Sequence, residues 1–422
     1  MFRGVFFLCF GAFSVFTGCV NEADLFKKHH GGASDALEGE SFSLRNAPTG
    51  PGGSHGALSS FSSGYAHSCA IPSDGRVLCW GSGFRGQNGQ DFGKNLSRPV
   101  AVAGITGAIA IASGGAHSCA ITEDGKVLCW GWNAFGQLGN GTHSDSSSPV
   151  RVSGIDHALS ISAASNHTCA ALADGKVACW GLNQFGELGN HHLSASSIPV
   201  PVDGISDAIQ VSAGGVHSCA LRKNGTVYCW GHHGEGRLGT KSQCPPGESD
   251  DGNGNLRMID DQDSDCHAHG LRNIISISAG DGHTCSLDIH GSVHCWGWGG
   301  FGQLGNGFNG FSEIPEIVPD LKPVKQLASG AYHTCAVMID DSVKCWGHNT
   351  NGKLGNFATL DSATPVAVPQ LKGASAVYPG GEFTCAHLRS DSLVCWGSGW
   401  DGQLGNGRFE SNLQSAPVAG FE

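Results

Sequence analysis

Charged residues are scarce in this 422-residue chain, at 14% of positions against about 25% in an average domain. Bases are the scarcer sign: 24 Lys and Arg face 36 Asp and Glu, for a net charge of −12, and no basic cluster occurs. A nucleic-acid binder that grips phosphates needs such a cluster, so that class is disfavoured. No Gly-X-Y period runs through the 66 glycines, which excludes collagen. No stretch sustains a 3.6-residue apolar period, which argues against a helical protein. The 40% apolar content and ten Trp exclude a charged disordered chain. Gly-x-Ser-x-Gly, His-Glu-x-x-His and phosphate-loop motifs are all missing, and with them the commonest hydrolase and nucleotide-binding signatures. Cysteine, by contrast, is plentiful at 18, which disfavours a reducing cytosol.

The longest apolar run, Val5 to Phe16, follows one positive charge at Arg3. It is too short to cross about 30 Å of hydrocarbon as a helix, but it suits the apolar region of a signal peptide. Phe16-Thr17-Gly18-Cys19 resembles a bacterial lipobox, in which the Cys is diacylated and becomes the mature N-terminus. The expectation is therefore a lipoprotein signal peptide at 1–18 with Cys19 as the lipidation site. A plain secretory peptide cleaved elsewhere is the competing reading. Val20 is not the Asp that holds such lipoproteins in the inner membrane, so an outer-membrane lipoprotein is expected, facing the periplasm or the outside. Residues 19–56, rich in Gly, Ser, Pro and charge, read as a flexible tether reaching roughly 35 Å.

The rest, 57–422, is one repeated unit. Cys-x9-Cys-Trp-Gly recurs seven times, starting at Cys69, Cys119, Cys169, Cys219, Cys285, Cys335 and Cys385, with second cysteines at Cys79, Cys129, Cys179, Cys229, Cys295, Cys345 and Cys395. The period is 50 residues with one 16-residue insertion after the fourth unit. Seven such units predict an all-β, seven-bladed propeller of four-stranded blades. In the second unit strands are expected at Ala108–Ser113, His117–Thr122, Val127–Gly131 and Pro149–Val152. Glu123-Asp124-Gly125 reads as a type I turn with a Gly bulge. Counting back from it sets Thr122 opposite Lys126 and Cys119 opposite Cys129, with Cα atoms about 4.5–5.5 Å apart, so each blade is expected to hold its own disulfide. Zinc is the alternative, since His67, His117, His167, His217, His283 and His333 each form His-x-Cys. Structural zinc sites show Cys-x2–4-Cys pairs, which are missing, and Phe383 replaces the seventh His. The His residues are expected buried and bonded to backbone, and the seven motif Trp packed between blades.

The glycines after each Cys-Trp-Gly carry a resemblance. Trp132-Asn133-Ala134-Phe135-Gly136-Gln137-Leu138-Gly139-Asn140 and Phe301-Gly302-Gln303-Leu304-Gly305-Asn306, with Gly114-Gly115-Ala116-His117-Ser118, resemble the repeat of the regulator of chromosome condensation family. The resemblance covers 57–422 and implies a seven-bladed propeller. That family includes an exchange factor for a nuclear GTPase, plant ultraviolet receptors and a secreted inhibitor of beta-lactamase. Nuclear exchange conflicts with the export signal, and the ultraviolet reading needs a Trp where this chain has Ala116, Val216 or Gly282. Neither activity is carried over, and no enzyme activity is expected.

Binding is the default for a rigid ring with variable loops. Candidate partner-binding residues are the loop aromatics Phe84, Trp132, Phe135, Phe185, Trp298, Phe301 and Trp400, since such side chains are enriched in interaction hot spots. Packing into the next blade is the bland alternative. The expected function is a protein-binding platform at the cell envelope, acting as a monomer, with a glycan-binding or adhesion module as alternative and regulation of a GTPase ranked lower. The insertion at 241–266 is acidic, and Cys244 and Cys266, the remaining Cys outside repeats and signal, are expected to pair. Asp251, Asn253, Asn255, Asp261, Asp263 and Asp265 are candidate calcium ligands, with a solvated acidic loop the competing reading. No other cofactor is expected.

The lipobox makes a direct prediction: Cys19→Ser and globomycin should each leave the precursor unprocessed and release the protein from membranes. Normal processing of the Cys19→Ser chain, followed by immunoblot, would refute lipidation at that residue.

Overall fold

Each repeat folds into one antiparallel sheet whose strands follow each other in sequence, as the second blade illustrates: Ala108–Ser113, His117–Thr122, Val127–Gly131 and Ser146–Arg151. The computed structural model describes residues 57–240, 268–321 and 323–422. It also gives the backbone of Phe7–Phe10 and Phe16–Asn21, which pair antiparallel. The signal-peptide and tether segments otherwise fall outside the described residues, as does the whole 241–266 insertion with Cys244, Cys266 and the six calcium candidates. In the fourth blade three strands are described, up to Val227–Gly231. The chain re-enters at Ala268, whose N–H donates to the carbonyl of Val227.

The hairpin register is the one the turn chemistry dictates. Thr122 N–H donates to the Lys126 carbonyl, Gly125 takes a left-handed φ of +73°, and Cys119 faces Cys129. Asp341 and Asp391 take the left-handed position in blades six and seven, at +66° and +63°. All seven intra-blade disulfides are formed, with Cα atoms 4.0–4.2 Å apart. That is closer than the expected spacing.

Neighbouring residues on a strand point to opposite faces of the sheet, and the adjacent Cys and Trp of the motif use this. Cys119 and Cys129 pack toward blade three, against Trp180, whereas Trp130 packs back against Cys69 and Cys79 of blade one. The core is therefore seven wedges, one per interface, each with a Trp laid against the previous blade's disulfide. All seven Trp are at most 2% exposed. The indole N–H of Trp130 donates to the Gln87 carbonyl at 3.0 Å, and the Ser118 hydroxyl donates to the same oxygen at 3.0 Å. This two-pronged latch recurs at Gln137, Glu187, Gln303, Lys353 and Gln403. Two glycines per unit are obligatory here. A Cβ on Gly131, at φ +107°, would meet the Ala116 carbonyl at 2.6 Å, and one on Gly139 would meet the Trp180 indole nitrogen at 2.8 Å.

The ring closes without sharing a strand between blades. Blade one docks on blade seven through the same latch, from Trp80 and Ser68 to the Gln403 carbonyl, and through Gly381 N–H to the Gly64 carbonyl. Phe61, Trp80, Phe383, Leu404 and Phe421 fill that last wedge.

Peptide mapping without reduction should return the seven intra-blade pairs and no cross-blade pair. Cys169→Ala/Cys179→Ala should cost less than the about 3 kcal/mol that loop closure gives for a ring of this size, because the hairpin already constrains the unbridged chain. Urea unfolding of the double variant measures it.

Candidate functional site

Two kinds of loop share one face of the ring: the turn between the first and second strands, and the longer loop between the third and fourth. They are joined in every blade, for example by Trp132 N–H donating to the Ala116 carbonyl. The opposite face carries the tight hairpins between the second and third strands.

At the centre of the loop face, around the ring axis, the inner turns are mostly Gly, Ala and Ser. Three larger polar side chains, Tyr65, Asp281 and Tyr332, interrupt them. The Tyr65 hydroxyl of blade one donates to the Asp281 carboxylate of blade five. Ser165 of blade three lies 3.4 Å from both, and Tyr332 of blade six also hydrogen-bonds Asp281. One carboxylate thus gathers hydroxyls from three other blades across the axis. Its enclosure pushes the Asp281 pKa up to about 7, against the opposing Tyr332 hydrogen bond. Burial, reinforced by the Asp281 charge, raises the Tyr332 hydroxyl above its ordinary value. Sequence reasoning missed this hub. Its signal is the residue two before each motif His, which reads Tyr65, Gly115, Ser165, Gly215, Asp281, Ala331 and Gly381.

A second ring lies under the loops, at the residue whose carbonyl forms the latch. The Gln137 and Gln303 side chains are fully buried there and accept the N–H of Phe135 and Phe301. Blade three has Glu187, whose carboxyl is pushed up by burial. Blade six has Lys353, fully buried, bonded to Glu382 at 2.6 Å and to His348 at 2.8 Å. Burial lowers the Lys353 pKa, and Glu382 opposes the shift.

The predicted aromatics all lie on this face, but the structure does not bring them into one cluster. Trp132 and Phe135 meet edge to face at 5.4 Å, with Arg85 between Trp132 and Phe84. Phe185 meets His232 at 4.5 Å. Trp298 and Phe301 form a larger group with Tyr332 and His348, in which Phe301 stacks on His348 at 4.3 Å. Phe84 and Trp400 stand out into solvent, 69% and 67% exposed. Trp132, Phe135, Trp298 and Phe301 are half-buried, each packed on a neighbour with part of its ring left in solvent.

Two exposed aromatics not singled out in the sequence break a local rule of the loop. Asn95, Asp145, Asp361 and Ser411 accept the N–H of Gly83, Asn133, Asn349 and Gly399 from twelve residues back. Blade five has Phe311 at that place, which offers no acceptor, and blade three has Ala195. Phe357 adopts φ +61° where Gly141, Gly307 and Gly407 stand in other blades, a conformation that costs a bulky residue about 1–2 kcal/mol.

The six motif His are buried as expected, but their partner differs. Each Nε2 meets the hydroxyl of the next blade, as His67 meets Ser118 and His117 meets Thr168, both at 2.8 Å. Where the hydroxyl donates its proton to the latch carbonyl, as Ser118 and Thr168 do, Nε2–H is the donor. A His–Ser pair can start nucleophilic chemistry, but these hydroxyls are sealed between blades and have no substrate access. Among the described residues no group of three or more His, Cys, Asp or Glu is placed to hold a metal ion.

The family model described as the RCC1-like domain matches residues 154–420. Models of the regulator of chromosome condensation (RCC1) repeat match 74–121 and 124–171, and a second repeat model matches 59–87 and 108–137. The fold is similar to Prp20p from Saccharomyces cerevisiae, studied for binding to Gsp1p and histones, with 21% identity over 86% of this chain and 87% of that one and a TM-score of 0.67. Yeast RCC1 (Prp20) bound to Kap60 aligns over 91% of both chains at 20% identity and a TM-score of 0.68. Human WBSCR16 aligns over 77% of this chain and 85% of its own at 22% identity and a TM-score of 0.66. A sequence comparison with curated proteins gives no match.

The buried groups predict the acid limb of stability. Burial lowers His67, His117, His217 and His283 to a pKa of about 3 and His167 to about 4, and takes His333 well below its ordinary range. Between those values and about 6.5 the unfolded chain binds more protons than the folded one. Stability should be full above about pH 6.5 and fall as pH drops, by up to about 1.4 kcal/mol per pH unit for each proton. His217→Phe, copying Phe383, should remove one proton from the slope measured by denaturation against pH. Asp281 acts in the opposite sense: its raised pKa favours the fold below about 4, a contribution lost as pH rises through about 7. Asp281→Asn should therefore gain on the wild type above pH 7.

Proposed function

The chain belongs to the regulator of chromosome condensation (RCC1) repeat family, and from that premise we propose that it is a non-enzymatic binding platform whose loop face takes a protein partner. One observation carries the reading. On a scaffold that repeats its Cys, Trp and Gly seven times, the loop-face positions differ from blade to blade, and several present large exposed aromatics such as Phe84 and Trp400. Aromatic anchors set on a rigid frame are the usual core of a protein–protein hot spot. The fold neighbours described for binding to Gsp1p and histones, or bound to Kap60, support a protein partner over a small molecule.

The proposal includes an address. Export by the signal at 1–18, lipidation at Cys19 and a tether to residue 56 would hold the ring at a bacterial envelope. The disulfide in every blade supports an oxidising compartment. The acidic insertion at 241–266, with its Cys244–Cys266 pair and calcium ligands, belongs to the same proposal as a further, separate contact. A glycan-binding module is the alternative that the aromatic loops also support.

Photo-crosslinking in intact cells tests the platform. A photoreactive residue at Trp400, on the loop face, should yield protein adducts, whereas one at Ile339, half-exposed on the hairpin face, should yield none. Adducts that are resistant to protease but cleaved by glycosidases would favour the glycan reading, and equal protein labelling from both faces would refute loop-face recognition.

A further inference from the structure

The loop face is not uniform. Four exposed apolar side chains gather in two adjacent blades: Phe308 (73% exposed) and Phe311 (60%) in the loop of blade five, and Phe357 (40%) and Leu360 (80%) in that of blade six; blades one and seven expose Phe84, Phe92, Trp400 and Phe409. The loop of blade five reaches blade six, where Gly307 N–H donates at 2.9 Å to the carbonyl of Ala363, in the strand that follows the blade-six loop. Blade two, by contrast, exposes no large apolar side chain in its loop. Two of the four also sit where the loop itself prefers something else. Phe311 replaces a capping acceptor, and Phe357 replaces a glycine at positive φ. Blade three makes the same two departures with His191 and Ala195, but only in blades five and six do they set large apolar side chains in solvent, which points to a contact outside the chain.

Charge narrows the occupant. The loops of these two blades, 298–311 and 348–361, and the strands that follow them carry Glu313, Glu316 and Asp361. Their sole base is Lys353, which is fully buried and bonded to Glu382. Blade one, where Phe84 and Phe92 are also exposed, instead offers Arg85, Lys94 and Arg98. An apolar patch flanked by acids alone favours a segment in which apolar anchors alternate with Arg or Lys and disfavours an acidic one.

We propose that the loops of blades five and six, through Phe308, Phe311, Phe357, Leu360 and the flanking Glu313, form the docking site for a protein segment with basic residues between apolar ones. This rests on the loop face being a protein-binding surface and adds where on it the partner sits and what chemistry the partner presents.

The test pans a random dodecapeptide display library against the full-length wild-type protein, with a polysaccharide array run in parallel. Enriched peptides should carry Arg or Lys between apolar residues. By fluorescence anisotropy they should bind Phe308→Ser/Leu360→Ser about tenfold more weakly and Glu313→Lys several-fold more weakly, with Ile339→Ser, on the hairpin face, unchanged. Phe311→Asp should weaken binding while raising the unfolding midpoint, which separates lost contact from lost fold. Acidic peptides, or peptides indifferent to Phe308→Ser/Leu360→Ser, would overturn this site and leave protein binding by the ring intact. No enriched peptide together with a polysaccharide hit would overturn both, and no enrichment of any kind would overturn this site.

Discussion

A single backbone carbonyl per blade holds this ring together. The oxygen of Gln87, and its counterparts at Gln137, Glu187, Gln303, Lys353 and Gln403, receives both the indole N–H of the next blade's Trp and a hydroxyl from its second strand. Each such bond is worth about 1 kcal/mol net, but leaving the buried donor unpaired costs more. The latch therefore fixes where each Trp lies, and the Trp fixes how far the blades stand apart. The glycines follow from this, because the indole of Trp180 occupies the space that a side chain at Gly139 would need.

The parts of the fold legible in sequence are those made within one hairpin. Gly125 and the ten-residue spacing of Cys119 and Cys129 state the register outright. The contacts that escaped it join residues a repeat or more apart. His67 finds Ser118 51 positions on, and no local pattern distinguishes a hydroxyl there from a backbone acceptor. The Asp281 hub joins residues 216 and 116 positions away, at Tyr65 and Ser165. Only closure of the ring makes them neighbours. Of the candidate site, the face was legible because aromatics such as Phe84 and Trp400 interrupt a repeating frame. The weight on blades five and six was not, because Phe311 and Phe357 are notable only beside the Asp145 cap and the positive φ of Gly141, which the structure reveals.

Scaffold and display are thus written in different residues of the same repeat. The Cys, Trp, latch and glycine positions face the interfaces between blades and tolerate few alternatives. Residues one and four places beyond each Cys-Trp-Gly face solvent or a neighbouring loop and take Ser, Trp, Leu, His, Arg, Phe, Glu, Asn or Asp. The exceptions on the scaffold side are informative. Phe383 fills the place of a His without loss of the latch, so the imidazole is an accessory to the interface and the indole is not.

Because every disulfide among the described residues joins residues ten apart and the strands of each propeller sheet are consecutive in the chain, each blade can assemble from its own stretch of sequence. A hairpin can oxidise as soon as its own two strands have emerged, with no partner from a later segment to wait for and no cross-blade thiol within reach. Blades add one at a time, each covering the Trp face of its successor. The contact that must span the most chain is the last, between Trp80 and Gln403, 323 positions apart. Loop closure over such a distance is slow compared with hairpin formation. The rate of reaching the finished ring is then the rate at which an open arc of blades finds its own beginning.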